Sequence, residues 1–188
     1  MKIPWKNLDT TQQIKWVVLV LAVITVIEII NLLSGRALNQ LGNIPRYVPG
    51  LKGILFGPFL HGSLQHYFAN IIPLGMFTYL MLQYGTKRYW LVTAWIILLS
   101  GILVWLFGRS ASHIGASGLI YGYFGFLLLA GFLSKSFKLL AISIIVAFFY
   151  GGLIFGVMPT TPFVSWESHL FGFIAGVIAA RLWAKPVK

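Results

Sequence analysis

Long stretches with few polar interruptions dominate this chain, beginning with Trp16 to Leu33. Six apolar segments stand out, at about 15–34, 61–82, 89–107, 115–134, 138–157 and 167–184. Each approaches the roughly 20 residues that a helix needs to cross a bilayer. Strands of a membrane barrel alternate apolar and polar side chains, and these runs do not. The pattern therefore predicts an all-α polytopic membrane protein with six transmembrane helices. The helical domain runs over 15–184, between an N-terminal segment 1–14 and a tail 185–188. The stretch 35–60 reads differently, because Pro45, Pro49, Pro58 and several glycines interrupt its apolar residues. Neither a clean helix nor a solvated linker fits it, and an irregular segment lying at the bilayer surface does.

Composition supports the same class. Of 188 residues, 59% are apolar and 9% are charged, against about 25% charged in a soluble domain. So few charges cannot coat a soluble globule of this size. The formal net charge of +11 invites a nucleic-acid reading, but the basic residues sit at the ends of the apolar runs, where they orient helices. Lys2, Lys6, Lys15, Lys87, Arg88, Lys135, Lys138, Arg181, Lys185 and Lys188 fall on one side, and Arg36, Arg46, Lys52 and Arg109 on the other. This imbalance predicts that both termini are cytoplasmic, and no nucleic-acid partner is expected. The chain has no cysteine, which removes disulfides and thiolate metal sites. The first apolar run lacks a small-residue cleavage signature and is expected to be a retained helix. No internal repeat supports an inverted-repeat transporter.

This topology sends segments 2, 4 and 6 from outside to inside, so their N-terminal ends share one depth. Polar residues gather there: His61, His66 and Asn70 in segment 2, Ser117 in segment 4, and His169 in segment 6. Polar groups at membrane depth are costly and point to function. Ser117 lies in Gly115-Ala116-Ser117-Gly118, whose glycines allow a tight turn and close helix approach. A helix N-terminus also offers unpaired N–H groups to a developing anion. A plainer reading makes Ser117 an N-cap in a packing patch. His169 shifts that balance. Gly172-x-x-x-Gly176 and Gly118-x-x-x-Gly122 are small-residue stripes that can bring segments 4 and 6 together, setting an imidazole base beside a serine hydroxyl. Tyr121, one turn after Ser117, could pack on that imidazole or serve as an ordinary core tyrosine.

The acidic partner of a triad is missing. Asp9 precedes the first span, Glu28 lies within it, and Glu167 is two residues from His169, about 200° around a helix. A Ser-His dyad fits better than a triad. His66 and Asn70 form an i, i+4 pair of hydrogen-bond donors, suited to an oxyanion or to an interhelical contact. No metal site is expected, since His61 and His66 diverge by about 140° and no carboxylate joins them. His113 reads as a surface histidine, and Glu28 as facing water or pairing within the bundle. The chain contains neither an H-E-x-x-H motif nor a pair of intramembrane aspartates, so metalloprotease and aspartyl chemistries are not supported.

Together, His61-Gly62-Ser63-Leu64-Gln65-His66-Tyr67-Phe68-Ala69-Asn70, Gly115-Ala116-Ser117-Gly118 with Tyr121, and His169-x-x-Gly172-x-x-x-Gly176 resemble the rhomboid family of intramembrane serine proteases. The resemblance implies a rhomboid-like bundle, with Ser117 as nucleophile and His169 as general base. His66, Asn70 and the Ser117 N–H would form the oxyanion hole, supported by Gly115, Gly118, Tyr121, Gly172 and Gly176. It further implies transmembrane protein substrates cut near the outer face of the cell membrane, and no cofactor. Segment 35–60 resembles the family's membrane-associated first loop, and segment 5 with the 158–166 loop its gate and cap. One departure is Lys52-Gly53, where many members carry Trp-Arg, so loop anchoring and substrate fit are expected to differ. The competing readings are a catalytically inactive rhomboid-like protein that binds membrane clients, and a small transporter or channel. A transporter or channel would spread its polar residues through the membrane depth.

Overall fold

A cluster of glycines, rather than any polar contact, determines which helix sits at the centre. The computed structural model describes residues 8–159 and 164–184, so the expected segments 1–7 and 185–188 and part of the 158–166 loop lie outside the described residues. It contains six long helices among those residues: α1 (Thr10–Leu33), α2 (Leu64–Leu82), α3 (Thr86–Phe107), α4 (Ser117–Leu133), α5 (Phe137–Tyr150) and α6 (Trp166–Trp183). There is no strand among the described residues, only an isolated bridge between Asn43 and His113. By length and composition, three stretches among the described residues suffice to cross a membrane: Thr10–Leu33, Thr86–Phe107 and Phe137–Val157.

Local chemistry explains the helix boundaries. Helix α1 starts earlier than the apolar run because Asp9 caps it: its carboxylate accepts the Gln12 N–H at 2.8 Å while the Gln12 side chain accepts the Asp9 N–H at 3.2 Å. This reciprocal capping satisfies two otherwise unpaired donors. Helix α5 is shorter than the expected 138–157. After Tyr150 the chain tightens into a 3-10 helix over Gly151–Val157, at a Gly-Gly pair that weakens α-helix propagation.

Helix α4 lies at the middle, with α6 along one side, α3 and α2 on others, and α5 against its C-terminal half. Four glycines of α4 face neighbours. A Cβ on Gly122 would strike the Ile96 side chain, one on Gly125 would lie 2.5 Å from the Phe173 carbonyl, and one on Gly131 would strike the Leu139 carbonyl. In turn, Cβ atoms on Gly172 and Gly176 of α6 would strike the Gly118 and Gly122 carbonyls. The two small-residue stripes thus form one seam, where backbone meets backbone. A few polar bonds pin the other contacts: Thr25 Oγ1 to the Tyr67 hydroxyl at 2.7 Å between α1 and α2, and the Trp95 indole N–H to the Ala175 carbonyl at 3.1 Å between α3 and α6.

The 35–60 stretch is irregular, as expected. It forms short 3-10 turns at Ala37–Leu41, Val48–Lys52 and Gly57–Phe59, with one α-helical turn at Gly53–Phe56. Two devices hold it. Arg46 caps the end of α3, its guanidinium donating to the Gly108 carbonyl at 2.7 Å. Gly53 is buried against the backbone of Gly42 and Asn43, where any Cβ would collide. At the Lys52-Gly53 departure, close backbone packing therefore does the anchoring.

Candidate active site

The chain reaches α4 through a turn that only glycine adopts easily. Gly115 has φ +116°, and its N–H donates to the Gly57 carbonyl at 2.9 Å. A Cβ there would lie 2.6 Å from His66 Nε2, so the imidazole of α2 covers the approach to Ser117. Ala116 occupies the N-cap position without any side-chain cap. Ser117 is therefore the first helical residue, not the cap. The residue is half-buried, and the N–H groups around it belong to the unpaired first turn.

Helix α6 begins at Ser165, whose hydroxyl accepts the Ser168 N–H at 3.3 Å. One residue further, His169 is buried and its Nδ1 lies 2.8 Å from the Gly156 carbonyl. A carbonyl only accepts, so Nδ1 carries the proton and Nε2 keeps a lone pair. The ring of Tyr121 stacks on this imidazole, with centroids 4.1 Å apart and planes 6° from parallel. Below them, the glycine seam fixes α4 against α6. The Ser168 carbonyl is 3.3 Å from where a Gly118 Cβ would stand. Glu167 is buried but turned away: its carboxylate lies 3.3 Å from Arg109 Nε and accepts the Arg109 N–H at 3.3 Å. A backbone carbonyl, rather than a carboxylate, orients His169.

The remaining candidates are arranged unevenly. His66 packs edge-on against His61, centroids 5.1 Å apart. Asn70 is buried on the same helix, but its amide donates to the His66 carbonyl at 2.7 Å. That donor is committed to its own helix. The structure thus joins His66 to Gly115, Tyr121 to His169, and Gly118 to Gly172. No hydrogen bond links Ser117 to His169 among the described residues, nor does any group of three His, Asp or Glu there suit a metal ion.

Two polar clusters exceed what the sequence pattern revealed. Glu28 does pair within the bundle: Arg36 Nη1 donates to its carboxylate at 2.6 Å and to the His61 carbonyl at 2.9 Å. Asn31 and Asn39 donate to the same carbonyl, at 3.3 and 3.2 Å. Three residues of α1 and the following turn, with Glu28 behind Arg36, thereby converge on the His61 carbonyl just before α2. Their spacing has no helical period, because the chain reverses between them at Gly35 and Arg36, both with positive φ. His113, expected at the surface, is instead 4% exposed. It pairs with Asn43 through both backbone groups, and its ring lies between Ser165 and Arg109. Loss of hydration lowers its pKa, only partly opposed by the Arg109 carbonyl and the Glu167 charge, while the Arg109 charge lowers it further.

Residues 48–186 match the Rhomboid domain, and the chain belongs to the rhomboid family, whose members are generally intramembrane serine proteases. It is 39% identical to uncharacterized proteins of Mycobacterium bovis and Mycobacterium tuberculosis, over 95% of this chain and 80% of theirs. An uncharacterized protein of Mycobacterium leprae is 36% identical over 99% of this chain and 82% of its own. With its apolar helices, the family assignment makes this a membrane-embedded protein.

Proposed function

We propose that this chain is an intramembrane serine endopeptidase working through a Ser117–His169 dyad. All six long helices cross the cell membrane, 15–184 is the protease domain, and the 1–14 and 185–188 ends are cytoplasmic. The observation that carries the reading is His169 itself: stacked on Tyr121, held at Nδ1 by Gly156, and left with a basic Nε2 at the end of the glycine seam. A neutral imidazole in that tautomer is ready to accept a serine proton.

In the proposed cycle, Ser117 Oγ bonds to the scissile carbonyl carbon as its proton passes to His169 Nε2. The carbonyl oxygen becomes an oxyanion, met by His66, Asn70 and the Ser117 N–H. The Asn70 amide must leave its own helix to take part. The C–N bond then breaks, and the imidazolium returns its proton to the departing amine. Water, deprotonated by His169, attacks the acyl-enzyme and releases Ser117. No cofactor is required.

The substrates are single-pass transmembrane proteins with Gly, Pro or polar residues near the outer face. A helical substrate hides its scissile amide inside a hydrogen-bond ladder and must unwind to be cut. Helix α5 yields to admit it: Phe148 and Phe149 are strongly exposed, and Cβ atoms on Gly151 and Gly152 would meet nothing. To test this reading, a Gly-Pro pair is moved along a transmembrane substrate and cleavage is mapped by mass spectrometry. Cuts should follow the pair near the outer face and vanish with Ser117→Ala. Equal cleavage of a uniform poly-leucine helix, or cutting near the cytoplasmic face, contradicts it.

A further inference from the structure

Two stretches of chain flank the proposed reacting residues, and a directional string of hydrogen bonds ties them together. The Arg109 carbonyl can only accept, so His113 Nε2, 3.0 Å away, carries the proton and donates. His113 Nδ1 then has only a lone pair, and the Ser165 hydroxyl donates to it at 2.5 Å. With its proton spent, Ser165 Oγ accepts the Ser168 hydroxyl at 2.7 Å and the Ser168 N–H at 3.3 Å. A second tie runs alongside: Arg109 pairs with Glu167 and donates to the Val164 carbonyl at 2.5 Å. His113 stands four residues before Ser117, and Ser168 adjoins His169.

We infer that His113 is a positioning residue for the dyad, acting through Ser165 to hold the start of α6 at a fixed place relative to the Gly115–Ser117 turn. This rests on the protease reading above. The glycine seam fixes how closely α4 and α6 approach, but smooth backbone surfaces alone leave them free to slide. The His113–Ser165 bond lies just beyond the seam's outer end and resists that sliding where the proposed proton transfer occurs. Misplacement of reacting groups by about 1 Å can cost roughly 100-fold in rate. Hence a bond that touches neither substrate nor reacting atoms still governs turnover.

The two ring nitrogens can be tested separately. Asn places an acceptor Oδ1 where Nδ1 stands, and so keeps the Ser165 bond. Gln reaches the Nε2 position and keeps only the Arg109 bond. Full-length wild type, His113→Ala, His113→Asn, His113→Gln, Ser165→Ala and the His113→Ala/Ser165→Ala double variant are compared for cleavage of a transmembrane substrate. Fluorophosphonate labelling and thermal unfolding are measured alongside. His113→Ala should lower kcat by about 10-fold or more with KM unchanged. Asn should restore most of that loss and Gln little. The double variant should lose clearly less than the product of the two single losses, because both changes remove the same His113–Ser165 bond. Wild-type kcat in His113→Ala, rescue by Gln but not Asn, or fully additive losses would overturn the inference. Should His113→Ala fail to fold, Ser165→Ala, which deletes a single hydroxyl, carries the same kcat test. A wild type that neither cleaves nor labels defeats the protease reading, and this inference with it.

Discussion

Helices α4 and α5 are neighbours of similar apolar character, yet the fold uses them in opposite ways. Helix α4 is buried around nearly its whole circumference, whereas α5 buries only Ile142, Ser143 and Val146. The difference lies in glycine. Those of α4 let other backbones approach to distances that a methyl group forbids, while Gly151 and Gly152, just after α5, have open space around them. Both helices are strongly apolar, so hydrophobicity does not tell them apart, and close approach decides which becomes the core. In a bilayer, where lipid is as apolar as leucine, a helix without such contacts remains a loosely held wall. One polar tether spans the pair: Ser143 Oγ donates to the Leu127 carbonyl and accepts the Gly131 N–H at 3.0 Å.

The strongest way to break this contrast is to fill the seam. Gly176→Val should destabilise the protein by about 3 kcal/mol or more, since backbone on the opposite side cannot move aside as a side chain can. Denaturant titration in detergent micelles should report this. Gly115→Ala comes next, because it combines a strained positive φ with a collision against His66. It should cost roughly 1–3 kcal/mol and abolish cleavage even in the folded fraction, as measured by specific activity after gel filtration.

Ser143→Ala sharpens the comparison from the other side. Removing the tether should cost about 1 kcal/mol while raising the cleavage rate of transmembrane substrates if α5 gates their access. A lowered rate in well-folded protein would remove α5 from that role. Gly152→Ala should change stability by less than about 0.5 kcal/mol, measured in the same titration.

The smallest effect concerns pH. His113 is neutral in the fold with a lowered pKa, so the unfolded chain binds the proton more readily. Its contribution to stability is fully present above about 6.5, the usual histidine value, and is lost as pH falls from there through the folded value. His113→Asn should flatten the decline in thermal midpoint over that range.

Much of this was legible in the sequence. Apolar runs located α2, α3, α4 and α6 within about three residues at each end and revealed the existence of α1 and α5, and the paired stripes Gly118/Gly122 and Gly172/Gly176 anticipated the α4–α6 seam. The start of α1 was expected at about 15 and lies at Thr10, because Asp9 and Gln12 cap a polar first turn that the apolar run does not include. What stayed hidden depends on chain reversals and irregular backbone. His113 looked superficial because nothing in its neighbourhood revealed that Asn43 and Ser165, distant in sequence, would enclose it. Arg36, Asn31 and Asn39 became partners of His61 only through the turn at Gly35. The end of α5 was missed because the Gly151-Gly152 pair does not alter the apolar pattern. The commitment of Asn70 to the His66 carbonyl is a matter of rotamer, beyond any spacing rule.

The central claim is that Ser117 is an activated nucleophile, and it can be read directly as a covalent adduct. Purified wild-type protein is treated with a fluorophosphonate probe, and the modified peptide is sequenced by mass spectrometry, beside Ser117→Ala and His169→Ala. The account predicts one adduct on Ser117, none in Ser117→Ala, and labelling slowed at least about 100-fold in His169→Ala, which lacks the base. An unlabelled, well-folded wild type, or labelling undiminished by Ser117→Ala, would contradict it.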